Sequence, residues 1–158
     1  MARGQPAYRR DWMKIAIGND HAAWEMKADL MKLMKARGID VLDLGANGPE
    51  SVDYPDFGSK VCSAILAGEA DRGILLCGTG IGMSIVANKF KGIRAALCGD
   101  CFSARMSRMH NDANVLVMGA RVIGASLAEE ITKSWLDAGF EGGRHMIRLD
   151  KIKGLESK

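Results

Sequence analysis

Short apolar runs alternate with amphipathic stretches of a dozen or so residues, and the rhythm persists from Lys14 almost to the end of the chain. The runs are Ile15-Ala-Ile17, Val41-Leu-Asp-Leu44, Gly73-Ile-Leu-Leu-Cys77, Ile93-Arg-Ala-Ala-Leu-Cys98 and Asn114-Val-Leu-Val-Met118. Most lack polar alternation, as strands covered on both faces do. The segments between them, 22–37, 56–66, 83–90, 101–110 and 124–138, read as helices. In the first, Met26, Leu30, Leu33 and Met34 fall at helical spacing, with Lys27, Asp29 and Lys32 assigned to the opposite, solvated face. Gly38 stands where a C-terminal cap belongs. Strand and helix in strict alternation predict an α/β fold around a parallel sheet.

The strand–helix units fill the 158 residues with no long linker, repeat or low-complexity stretch, so residues 13–158 read as one domain. A chain of this length buries roughly 70% of its unfolded surface, enough for a core without disulfide or metal staples. Residues 1–12 read as an N-terminal extension ahead of a second candidate start at Met13, either a misassigned initiator or an added arm, without expected order. No apolar run approaches the ~20 residues of a membrane span, and no apolar segment follows the N-terminal arginines as in a secretory signal. These features point to a soluble, cytoplasmic protein that does not engage membranes. The net charge of +3, spread along the chain, also argues against a nucleic-acid partner. Cys62, Cys77, Cys98 and Cys101 accordingly read as free thiols.

Glycine is the compositional outlier, 19 residues against 3 prolines, and its placement is informative. Cys77-Gly-Thr-Gly-Ile-Gly82 directly follows the third strand and precedes a helix. That is the carboxyl edge of a parallel sheet, where ligands bind. Alternate glycines let successive backbone N–H groups converge, and a helix N-terminus adds positive potential, so the loop suits an anion. Met83 breaks a dinucleotide G-x-G-x-x-G pattern, and the Lys-Ser/Thr of a P-loop is missing. A tight turn without a ligand is the plainer alternative. Cys77 is either inert packing or a sulfur on which negative charge is favoured by the adjacent amides.

Gly18-Asn-Asp-His21 closes the first strand, so Asp20 is either a helix N-cap or a site residue, and His21 either an anion ligand or a surface residue. His110 and Asn111 end the fourth helical segment, where a histidine also suits the last-turn dipole. Arg144 and Arg148 are four apart, on one face if helical, suited to a phosphate or merely to solvent.

The chain resembles the type B ribose-5-phosphate isomerases, of the group that also holds allose-6-phosphate and galactose-6-phosphate isomerases. The matching stretches run in order: Lys14-Ile-Ala-Ile-Gly-Asn-Asp-His21, Asp53-Tyr-Pro55, Gly73 to Phe90, Gly92-Ile-Arg-Ala95, His110-Asn-Asp112, Gly119-Ala-Arg-Val-Ile-Gly124 and Glu141-Gly-Gly-Arg-His145. The resemblance implies a three-layer α/β/α, Rossmann-like fold with five parallel strands in order 2-1-3-5-4. It implies a homodimer or homotetramer with shared active sites, the C-terminal helical segment packing on a neighbouring subunit. It further implies a metal-free, cofactor-free aldose–ketose isomerase that works through a cis-enediolate, with ribose 5-phosphate and ribulose 5-phosphate as the pair. Cys77 would be the base, matching the cysteine branch, since another branch places a glutamate where this chain has Met83. Thr79 would move a proton between O1 and O2, while the amides of Gly78, Gly80, Ile81 and Gly82 and the side chain of Asn111 would hold the enediolate. His110 would open the furanose ring with Asp20 nearby, and His21, Arg121, Arg144 and Arg148 would take the phosphate.

Two features depart from the family pattern: the 1–12 extension, and Cys98-Gly-Asp-Cys101, a C-x-x-C that reads as incidental because no second pair completes a zinc site. Competing readings are a six-carbon phosphosugar isomerase, a phosphosugar-binding module without chemistry, and a thiol redox protein using Cys98 and Cys101.

Overall fold

The computed structural model describes residues 13–157; the extension expected at 1–12 lies outside the described residues. Five strands form one sheet: β1 (Lys14–Asn19), β2 (Asp40–Asp43), β3 (Arg72–Cys77), β4 (Ala95–Leu97) and β5 (Val115–Gly119). They lie in the order β2-β1-β3-β5-β4, and every neighbouring pair is parallel. The helices are α1 (Trp24–Ala36), α2 (Tyr54–Leu66), α3 (Ile81–Ala87), α4 (Cys101–Asn111), α5 (Ala125–Asp137) and α6 (Arg144–Leu155). Sheet order and layering are those that the family resemblance implies.

The two-residue period of the strands divides the core into two layers. Ile15, Ile17, Ile74, Leu76, Leu116 and Met118 face one side and pack with Met26, Leu30 and Met34 of α1 and Ile131 and Trp135 of α5. Ala16, Leu75, Cys77, Val115 and Val117 face the other, against Val61 and Cys62 of α2 and Met83 and Ala87 of α3. Continuous burial along β3 and β5 explains why these strands show no polar alternation.

Several boundaries differ from expectation. β4 is three residues long rather than spanning 93–98, because this edge strand has β5 alone as a neighbour and the Arg94 N–H is diverted to Asn114 Oδ1. α3 starts at Ile81 and stops at Ala87, where Asn88 bonds both Ser84 and Ala95 and turns the chain into β4. Gly38, with φ +73°, follows the end of α1 as expected. Lys27 is the substantial correction. It does not lie on a solvated face but is 4% exposed. Its ammonium donates to Asp43, to the Ala46 carbonyl at 2.8 Å and to Asn47 Oδ1 at 2.6 Å. A buried ammonium is tolerated only with such a shell, and the long stem reaches it by running under the loop after β2.

Candidate active site

β1, β3 and β5 end side by side, Asn19 opposite Leu76 and Cys77 opposite Gly119. Their following loops therefore meet at the carboxyl edge of the sheet. Gly80, at φ +80°, supplies the left-handed turn between Cys77 and α3, a conformation in which a side chain would be strained. The turn brings the Gly80 N–H to 3.2 Å from Cys77 Sγ, so the sulfur accepts a backbone hydrogen bond. The Ile81 N–H donates to Thr79 Oγ1 at 3.2 Å. The N-cap residue of α3 is Gly80 and offers no side-chain cap, so among the described residues no side-chain bond is made at this helix end apart from those of the Thr79 hydroxyl and the Cys77 sulfur.

Gly119 seats this loop: a Cβ there would stand 2.5 Å from the Thr79 carbonyl. The Arg121 N–H donates to the Gly78 carbonyl at 2.9 Å, which places the Arg121 side chain against Gly78. From the β1 side, the Asp20 N–H donates to the Leu76 carbonyl at 3.2 Å. Asp20 is buried and is not the N-cap of α1, a position held by Ala23; its Oδ1 accepts from the Ala22 N–H because the chain makes a turn before the helix starts. His21 Nδ1 accepts from the Val52 N–H at 3.2 Å. Asp20, His21, Cys77, Gly78, Thr79, Gly80, Ile81, Gly82 and Arg121 thus gather at one edge.

His110, Asn111, Arg144 and Arg148 do not join them within the chain. α4 runs back across the sheet, and Arg94, at the start of β4, donates to the Asn111 carbonyl at the amino edge. About five extended residues at ~3.3 Å each, or about 16 Å, separate the two edges. At the amino edge the Glu141 N–H donates to the Met109 carbonyl, tying the loop before α6 to the last turn of α4. His145 stacks on His110, ring centres 4.3 Å apart and planes 13° apart, and its Nε2 lies 3.2 Å from Glu141 Oε2. Arg144 and Arg148 are both exposed on α6, flanking this stack along the chain. A cleft of 630 Å³ lined by Phe90, Ile93, Leu149, Ile152 and Leu155 also opens at this edge.

His110, Glu141 and His145 carry donor atoms within 4.8 Å of one another, the spacing of a metal site. The two rings are nearly parallel, so their in-plane lone pairs run side by side, and a tetrahedral ion would need one ring to turn.

Sequence reasoning assigned no role to Asn19, Lys27, Tyr54, Glu141 or His145. Asn19 donates to the Asp20 and Ala46 carbonyls and holds the Asp20 segment against the Lys27-bound loop. The Tyr54 ring closes on Gly82, 2.5 Å from where a Cβ would stand. Asp53-Tyr-Pro55 and Glu141 to His145 were legible as motifs, but their contacts were not.

No helix among the described residues is long and apolar enough to cross a membrane. The family model for ribose/galactose isomerases matches residues 15–152. Escherichia coli ribose-5-phosphate isomerase B is 48% identical over 92% of this chain and 97% of its own length. D-erythrulose-4-phosphate isomerase of Pectobacterium atrosepticum is also 48% identical, over 89% of this chain and 93% of its own. The solved structure of Clostridium thermocellum ribose-5-phosphate isomerase B superposes with a TM-score of 0.90 at 54% identity, covering 92% of this chain and 98% of that one. With the family model, sequence identity, superposition and near-complete coverage in agreement, the chain belongs to the ribose/galactose isomerase family.

Proposed function

We propose that this aldose–ketose isomerase interconverts D-ribose 5-phosphate and D-ribulose 5-phosphate through a cis-enediolate, with Cys77 as the base. The observation that carries the reading is the sulfur of Cys77 facing the Gly80 N–H at the sheet's carboxyl edge, inside a glycine loop that leads into α3. Met83 supports the cysteine as base, because its side chain is fully buried in the α2–α3 layer and presents nothing to the loop.

Cys77 takes the proton from C2 and returns it to C1, while the Thr79 hydroxyl carries a proton between O1 and O2. The Gly80 N–H is engaged with sulfur, where it is complementary to a thiolate. The Gly78, Ile81 and Gly82 amides then stabilise the enediolate oxygens, Ile81 exchanging its bond to Thr79 for substrate. None of these steps calls for a metal or cofactor. Proton transfer of this kind contributes roughly 10²–10⁴-fold.

His110, Asn111, Arg144 and Arg148 come from the amino edge of a second copy, so the working unit is a homodimer or homotetramer with shared sites, each built from residues 13–158. His110 then protonates the ring oxygen with Asp20 across from it, Asn111 binds the enediolate oxygens, and His21, Arg121, Arg144 and Arg148 hold the phosphate. The exposed Met146, Ile147, Ile152 and Leu155 of α6 give the second copy an apolar surface to cover. The protein is expected to work in the cytoplasm.

Sugar length is the open variable, since relatives of similar identity carry names for five-carbon and four-carbon substrates. A turnover comparison between ribose 5-phosphate and allose 6-phosphate, with chelator present, tests the proposal. The expected result is a preference for the five-carbon sugar, undiminished by chelator. A preference for the six-carbon sugar overturns the substrate, loss of activity with chelator overturns the mechanism, and binding without turnover of either favours a plain phosphosugar-binding module.

A further inference from the structure

We infer that Glu141 and His145 are positioning residues for ring opening: they fix the orientation of the His110 ring and leave enediolate chemistry to the other edge of the sheet. The inference rests on the proposed role of His110 as the ring-opening acid.

Three observations converge on this pair. The Glu141 N–H donates to the Met109 carbonyl at 3.0 Å, so the loop that carries the carboxylate is pinned to the residue before His110. A carboxylate oxygen accepts hydrogen bonds, so at 3.2 Å the His145 Nε2–H donates to Glu141 Oε2, which fixes that ring's tautomer and plane. His145 is 6% exposed and lies flat against His110, while the His110 side chain keeps 38% of its surface open. One face of the exposed ring is therefore covered by a buried, hydrogen-bonded plate, and rotation about its χ2 angle is blocked on that side. Glu141 is 4.0 Å from His110 Nε2, beyond hydrogen-bond distance, so it acts on His110 through His145 and through the backbone.

Ring opening breaks the C1–O4 bond, puts a proton on O4 and removes one from O1 as the C1 carbonyl forms. It is needed only when the substrate is a closed furanose. Ribose 5-phosphate is closed, whereas ribulose 5-phosphate has its C5 oxygen esterified and cannot form a five-membered ring. An enzyme with a misaligned His110 still converts the ketose into open-chain aldose, which closes in solution. It handles the furanose only through the small open-chain fraction.

The test measures initial rates in both directions for the full-length protein and for Glu141→Ala, His145→Ala and His145→Phe. Glu141→Ala and His145→Ala are expected to lower kcat for ribose 5-phosphate about tenfold, as loss of orientation does. The initial rate from ribulose 5-phosphate should stay within about twofold. His145→Phe keeps a flat ring against His110 and is expected to recover most of the aldose rate. Equal losses in both directions would mean that the pair merely supports the fold or the α6 arginines, and no loss in either would mean that His110 needs no plate; each overturns the inference. Wild-type protein idle on both sugars is a distinct result, which removes the isomerase reading itself.

Discussion

Two cysteines stand at the same edge of the sheet, at the ends of strands separated by β5, and meet opposite fates. Cys77 closes β3 and Cys98 follows β4, each with a glycine next and a helix N-terminus a few residues on. After Cys77 the chain turns through Gly80, which as N-cap of α3 has no side chain to offer, and its backbone N–H points at the sulfur. After Cys98 the helix end is already neutralised: Asp100 accepts from the Ser103 N–H at 2.7 Å and from the Ser103 hydroxyl at 2.8 Å. Those bonds hold the Asp100 carboxyl below its ordinary value, with the Ser103 backbone as the leading cause. Burial pushes the Cys98 thiol up to about 11, and the Asp100 carboxylate adds to it against a smaller opposing effect of Ser107. A helix N-terminus can favour an anion from outside or carry its own acid. Only in the first arrangement does a helix-end N–H face the sulfur.

The widest gap should come from the cysteines themselves. Cys77→Ala is expected to lower kcat by at least ~10²-fold, with ligand binding retained, whereas Cys98→Ala and Cys101→Ala leave it within about twofold. Steady-state rates with ribose 5-phosphate decide this, and equal losses at Cys77 and Cys98 would erase the contrast. The glycines offer the next comparison. A Cβ at Gly80 would be strained by φ +80° and would stand 2.5 Å from Leu97 and 3.0 Å from the Met118 backbone, whereas at Gly99 it meets nothing within 4 Å. Gly80→Ala should therefore cost roughly 1–3 kcal/mol in chemical denaturation and depress turnover, while Gly99→Ala changes both little. The smallest effect belongs to Asp100. Its lowered carboxyl contributes stability above the ordinary value of 3.8 that is lost as pH falls through the folded-state value. Asp100→Ala should lower the melting temperature by on the order of a few degrees at pH 7, and the gap to wild type should close in acid. Turnover at pH 7 is expected to be unaffected.

Much of the site was legible because its signals are local. Gly78, Gly80 and Gly82 at a strand end, and Asp20 and His21 at another, follow from runs of a few residues. Lys27 was misread for a physical reason. Helical spacing ranks faces by polarity, and a lysine counts as solvated unless something distant surrounds it. Here Asp43, Ala46 and Asn47 do so, across a gap in sequence that no period reveals. The Glu141–His145–His110 arrangement was hidden likewise: His110 and His145 are 35 positions apart, and only the folded chain stacks them.

By itself the sequence determined the alternation of strands and helices, the burial of β3 and β5 on both faces and the glycine turn after Cys77, because periodicity and backbone freedom are properties of short segments. The tertiary structure decided the rest: Asp20 beside Cys77 because β1 pairs with β3, Lys27 inside its shell of acceptors, and Cys98 sealed under α4. It also set Cys77 and His110 on opposite edges, since α4 must cross the sheet before β5 can run parallel to β3. Those outcomes depend on groups brought together from far along the chain, and solvent exposure, charge environment and reach between residues exist only once that has happened.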